Sequence, residues 1–305
     1  MIYVLRTYIT VDQDTMSLFS KDLTLELGKL DQAIISDYQL WVIFFNLKLK
    51  ASSFIEDTFM EDYKNAVDPL FNSGVLSRSK ALRKNNVYDI LGKKLDSPGE
   101  AICSVDPFAY ISHMSAMEYY GLTDRVPRIT FYSTPPAKEW KIYSTKKMDG
   151  DCKGRSIDYL DTGAPPLVKL EFKKVMGVTV NQHSSIHLGS FKKIQGKSLR
   201  VATIGKTFID MLKEPTLCGG MSHVVNVFSE HAKHYSKLIQ QEIDKNGNKI
   251  DKVRAGYILE EQCGIQSDVI SSWVIYAQRG GSRKLDPSAE YSSNYSEKWS
   301  LSLNI

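Results

Sequence analysis

The sequence predicts an α+β protein, with an N-terminal winged helix-turn-helix followed by a mixed α/β domain. Three observations lead there. The N-terminal part is charged and carries apolar residues at helical spacing, and the period then changes abruptly to a basic strand–turn–strand stretch, Val75 to Lys94. Beyond a polar, proline- and glycine-bearing segment, strand-like and helical runs alternate. A chain of 305 residues, 42% hydrophobic and 24% charged, is long enough for two domains with real cores. The expected division is 1–98 and 99–305, with the boundary near Pro98.

The helices come first. Asp12 to Leu30 places Met16, Phe19, Leu23 and Leu27 on one face, and Gly28 sits at its end. Asp37 to Leu49 carries Leu40, Trp41, Phe44 and Phe45, the bulky face of a small core. Ser53 with Glu56, and Thr58 with Glu61, have capping-box spacing, so helices are expected to restart quickly. The last helix before Gly74 is the candidate recognition helix. Lys64, Asn65 and Asn72 are expected to face DNA, and Val67, Leu70 and Phe71 the core. Pro69 predicts that this helix is short, with Asp68 capping and the proline at the first helical position.

The following segment reads as two strands around the Asn85-Asn86 turn. It holds Arg78, Lys80, Arg83, Lys84, Lys93 and Lys94 against one acid, Asp89. Helices followed by a basic hairpin make a winged helix: a helix in the major groove reaches base edges while the wing lies on phosphates. Arg78, Lys80, Arg83 and Lys84 are the expected phosphate contacts. The net charge of +4 is modest, so any nucleic-acid surface must come from such local clustering.

Asp96 to Asp106 has linker composition. Asp106 to Pro127, DPFAYISHMSAMEYYGLTDRVP, reads as a packing helix whose small residues permit close approach, ended by Gly121. Arg128 to Thr145 reads as strands, Lys146 to Pro166 as a long loop, and Val168 to Phe172 and Val175 to Leu188 as strands. Arg200 to Gly220 should pass from strand to helix at Thr203 to Lys206, stop at Pro215, and open another helix at Gly219-Gly220.

Catalytic signatures fail on spacing or context. GSFKKIQGKS, Gly189 to Ser198, lacks a P-loop glycine at Phe191. Ser112, His113 and Ser115 have no partner acid nearby in sequence and read as incidental polarity on the packing helix. Asp161 with Glu171 and Lys173 imitates a metal-dependent PD-(D/E)xK-like nuclease, the alternative reading, although alternating LVKLEFKK yields that spacing by amphipathic patterning alone. A pure interaction module is a third possibility. Four dispersed cysteines suggest reduced thiols, and neither His183 with His187 nor His231 with His234 completes a metal set. No cofactor and no metal are expected. No apolar run reaches bilayer length and the N-terminus lacks signal-peptide features, so a cytoplasmic protein without a membrane partner is expected.

Two blocks, Asp106 to Pro127 and RVATIGKTFIDMLKEPTLCGG from Arg200 to Gly220, together resemble the AbiEi-type antitoxins in order and spacing. RAGYILEE from Arg254, KWSLSLN from Lys298 and, more weakly, NSGVLSRSKALRKNNVYDI agree. The sequence departs from that family in an N-terminal extension, about residues 1–35, and in Pro69. The resemblance implies a two-domain regulator and not an enzyme. Its winged helix would bind inverted repeats in its own promoter as a monomer or weak dimer. Its C-terminal antitoxin domain would neutralise a cognate nucleotidyltransferase-like toxin in a phage-defence, abortive-infection setting.

Overall fold

The computed structural model describes residues 18–51, 54–82, 86–185, 190–278 and 283–305, and it is a mixed α+β structure. Two compact units divide it, and the chain passes between them repeatedly. One comprises Met1–Ala109, Thr134–Val180 and Lys193–Leu199; the other Tyr110–Ser133, Asn181–Lys192 and Arg200–Ile305.

The first unit opens with α1 (Leu18–Lys29), β1 (Ile34–Ser36), α2 (Asp37–Lys50), α3 (Phe59–Asn72), β2 (Leu76–Arg78) and β3 (Val87–Ile90). The strands form an antiparallel sheet in the order β1-β3-β2, with Ile34 opposite Asp89 and Leu76 opposite Ile90. A reciprocal Ser36–Gln39 capping box starts α2, satisfying amides that the first turn leaves without helical partners. Trp41, Phe44 and Phe45 then pack with Phe59 and Tyr63, and the Trp41 and Tyr63 rings stack with centroids 3.3 Å apart.

Pro69 does not shorten α3. The helix runs unbroken from Phe59 through the proline to Asn72, and Ser73 N still donates to Pro69 O at 3.0 Å. Phe59, Tyr63, Ala66, Val67 and Leu70 form one buried stripe that spans the proline. Burial of that stripe offsets the roughly 3 kcal/mol that an interior proline costs.

Three further elements of this unit differ from expectation. The linker-like segment is a helix, α4 (Pro98–Val105), with Ser97 accepting from Glu100 N and Pro98 in the first turn, where its missing N–H costs no hydrogen bond. The expected strand and loop after Pro136 are helices α6 (Ala137–Asp151) and α7 (Ser156–Asp161), numbered after α5 of the second unit. Trp140, Ser144 and Met148 lie four apart on the buried stripe of α6. Val168 to Phe172 forms no strand; pairing begins at β6 (Lys174–Val175), whose hairpin partner is the start of β7 (Val178–Ser184). One hydrophobic cluster joins α1, α2 and α3 to Trp140, Met148, Cys152, Tyr159 and Leu167. Tyr38 Oη donates to Asp151 Oδ2 at 3.0 Å, and Asn46 Nδ2 to Asp151 O at 2.9 Å.

The second unit holds β4 (Tyr110–Ile111), α5 (His113–Tyr119), most of β5 (Ile129–Thr134), the end of β7, β8 (Phe191–Lys193) and β9 (Arg200–Ala202), with sheet order β7-β5-β4-β9-β8. β4 is antiparallel to β5 and parallel to β9. The packing helix is thus shorter than the sequence suggests, because Tyr110 and Ile111 are taken into the sheet. Gly121, at φ 64°, follows α5.

From β9 the chain enters α8 (Ile204–Lys213), capped by Thr203, then a 3₁₀ turn at Pro215–Cys218, then α9 (Met221–Asn246). Gly205 permits close helix approach: a Cβ there would lie 2.6 Å from Leu238 O. α10 (Lys249–Gly256) continues into a π-helical turn, Tyr257–Gln262, before α11 (Asp268–Ser272), and a short hairpin pairs β10 (Tyr295–Ser296) with β11 (Leu301–Ser302). Phe208, Val224, Phe228, Ile258, Trp273 and Trp299 belong to the core of this unit. All four cysteines are buried and none is in a disulfide. Among the described residues no helix is long and apolar enough to cross a membrane.

Candidate nucleic-acid interface and a buried polar cluster

On α3, Lys64, Asn65 and Asn72 are exposed, while Val67 and Leu70 are buried. Phe71 is half-buried, with its ring 5.0 Å from that of Tyr88 on β3. Glu61 and Asp68 share the exposed side with Lys64, so this face is polar and not strongly cationic. Arg78 ends β2 and Lys80 follows it, both exposed. Arg83 and Lys84 lie outside the described residues.

The other two cations of the segment behave differently. Lys93 Nζ donates to the carbonyls of Gly28 and Leu30 past the end of α1, and burial pulls its pKa down from the usual lysine range although Asp31 opposes this. Lys94 is exposed, with Asp96 4.0 Å away. Tyr88 Oη donates to Asp37 Oδ1 at 3.2 Å, and burial first, Asp37 second, push the phenol up to about 12. That bond ties β3 to the start of α2.

Of the nuclease-like residues, Glu171 and Lys173 lack the strand they were expected to share, and Asp161, expected in a loop, is helical. Asp161 closes α7, and Glu171 and Lys173 sit exposed in the unpaired stretch before β6. Among the described residues no group of three or more His, Cys, Asp or Glu side chains is placed to hold a metal ion. His183 is on β7, whereas His187 and Gly189 lie outside the described residues. Asp106 is buried and accepts from Thr134 Oγ1 at 2.8 Å, Trp140 Nε1 at 3.1 Å and Phe108 N at 3.0 Å. Its carboxylate is thereby committed to holding the first unit together.

In the second unit the supposedly incidental polarity of Ser112, His113 and Ser115 is buried and connected. Ser133 Oγ donates to Ser112 Oγ at 2.8 Å, and Ser112 Oγ lies 2.8 Å from His113 Nδ1. A hydroxyl that accepts from Ser133 can either donate onward to Nδ1 or accept from it, so both tautomers of the neutral imidazole satisfy this bond. Nε2 has no hydrogen-bond partner among the described residues. His113 is fully buried at φ 51°, and burial lowers its pKa to about 4 despite Asp210. The His183 ring stands edge-on, 4.7 Å away by centroids.

Close by is a buried ion pair one helical turn long, Lys206 Nζ to Asp210 Oδ1 on α8, with side chains 5% and 4% exposed. Burial works against the ammonium, but Asp210, Tyr110 and Glu242 outweigh it and the lysine pKa is raised. Among the described residues Asp210 Oδ2 has no hydrogen-bond partner. His113 and Asp210 are far apart in sequence, so only the parallel pairing of β4 with β9, ahead of α5 and α8, reveals the cluster.

Fold and candidate site together describe an α+β chain with a polar helix face, a cationic strand end and an internal charged cluster. The sequence matches no family model and no curated protein. A solved structure, the RV2827C protein from Mycobacterium tuberculosis, is similar over 94% of this chain and 91% of that chain, at 11% identity and a TM-score of 0.48.

Proposed function

We propose that the chain is a DNA-binding transcriptional regulator and antitoxin of the AbiEi kind, acting in the cytoplasm. The observation that carries the DNA-binding half is the order helix–strand–helix–helix–strand–strand with an antiparallel β1-β3-β2 sheet. That order is the plan of a winged helix-turn-helix. α3 is then the recognition helix, offering Lys64, Asn65 and Asn72 to base edges. Arg78 and Lys80, with Arg83 and Lys84 between the strands, serve as phosphate contacts. The antitoxin half rests on the resemblance of the Asp106 to Pro127 and Arg200 to Gly220 blocks, which implies a nucleotidyltransferase-like toxin as functional partner.

Binding of labelled DNA from upstream of the chain's own reading frame, titrated over salt, tests the first half. Neutralising Arg78, Lys80, Arg83 and Lys84 to glutamine should weaken binding and lower the salt slope by about 0.9 per lost phosphate contact. Unchanged affinity and slope would refute the assignment. Co-expression with the neighbouring reading frame tests the second half, with rescue of growth as the expected result.

A further inference from the structure

The second unit contains a cleft of about 530 Å³ beside the N-terminus of α10, lined among others by Asn248, Lys249, Arg254, Arg283 and Lys284. We propose that this cleft binds a phosphate group. Four cationic residues line it. The nearby carboxylates are engaged: Asp251 accepts from Asn248 N at 3.0 Å and lies 3.5 Å from Lys213, and Asp286 accepts from Ser288 N at 2.8 Å.

Arg254 is the fixed point of the site. It is 8% exposed, and its Nε and Nη1 donate to the carbonyls of Lys284 at 3.0 Å and Leu212 at 3.2 Å. Those two bonds, both to neutral carbonyls, lock the guanidinium plane and leave Nη2 without a hydrogen bond among the described residues; burial lowers the pKa of the group, and the carboxylates of Asp251 and Asp286 oppose this. A planar donor held in place is suited to phosphate oxygens, since little rotamer freedom remains to be lost on binding. Lys249, exposed and without an ion-pair partner among the described residues, is the first residue of α10, where the helix dipole also favours an anion. Arg283 donates to Tyr276 O and Lys284 Nζ to Ala289 O at 2.7 Å, so both are oriented by the fold. Several fixed positive groups around one opening match a multiply charged tetrahedral anion better than a single carboxylate.

Phosphorus NMR of inorganic phosphate titrated with the full chain tests the proposal. Saturable binding is expected, competed by sulfate, and weakened at least tenfold in Lys249→Gln/Arg283→Gln with the melting temperature retained. Lys249→Glu alone, at an exposed position, should weaken it as well if the double variant misfolds. Displacement by unrelated duplex DNA would assign the site to backbone phosphate, and retention in its presence to a small phosphorylated molecule; either supports the proposal. Absence of saturable binding, or equal binding by the variants, would overturn it. The proposal stands apart from the DNA-binding reading: loss of promoter binding on neutralising Arg78 and Lys80 should leave the phosphate titration unchanged.

Discussion

Breaking the Lys206–Asp210 pair from one side should cost far more than removing it whole. With both side chains about 5% exposed, neither charge can be recovered by water when its partner goes. Lys206→Met strands a buried carboxylate whose Oδ2 already has no partner, and Asp210→Leu strands an ammonium. Each single variant should lose about 3–5 kcal/mol, whereas the double variant, close in shape and uncharged, should recover most of that loss. Tyr110 and Glu242 also act on Lys206, so recovery will be incomplete. Urea titration is the assay, followed through labelling of Cys218 and Cys263, the two buried thiols of the second unit. At a slope of about 2 kcal/mol per molar urea, a 4 kcal/mol loss moves the midpoint by about 2 M. Single losses that simply add up in the double variant would refute the coupling.

Other perturbations read the same unit and the wing. Because burial holds His113 near pKa 4, below its ordinary 6.5, the unfolded chain binds a proton that the folded chain refuses in this interval. Stability should therefore fall by roughly 3 kcal/mol as pH drops from about 6.5 to 4. His113→Asn, which tolerates positive φ, should remove that component from the pH profile of denaturation; an unchanged profile would refute it. Gly256→Ala would drive a methyl into the fully buried Trp299 ring, with an expected loss of about 1–3 kcal/mol and a lower melting temperature. Arg78→Gln with Lys80→Gln should reduce the salt slope of DNA binding by up to about 2, measured by fluorescence anisotropy.

Local signals with a cap and a stripe were legible in the sequence. The strand-to-helix turn at Thr203 and the Pro215 stop mark real boundaries, whereas Thr58 precedes α3 without the expected side-chain cap bond, Ser53 lies outside the described residues, and the box that does form, Ser36–Gln39, is not one of those expected. α6 misleads because ITFYST, Pro135-Pro136 and the β-branched residues of KIYST suggest strands, although Trp140, Ser144 and Met148 repeat every four residues. LVKLEF alternates as a strand would, yet burial here does not follow the alternation, since Leu167 and Phe172, which would lie on opposite faces of a strand, are both buried and Val168 is exposed. The polar cluster was out of reach for another reason. His113, His183 and Lys206 are polar singly in three distant segments, and only tertiary structure turns them into a desolvated group.

The helices proposed to meet DNA do not own their core. Trp140, Met148, Cys152, Tyr159 and Leu167, supplied from far downstream, complete the cluster around α1 to α3. A fragment ending at Pro98 would leave Phe45 and Tyr38 without Tyr159, whose ring packs against theirs at 5.4 and 6.1 Å. The polypeptide must therefore be synthesised as far as Leu167 before the proposed DNA-reading end has a finished interior. A regulator built this way would be ready for DNA only after the chain extends to Leu167, and its N-terminal module could not be exchanged between relatives by a single crossover at Pro98.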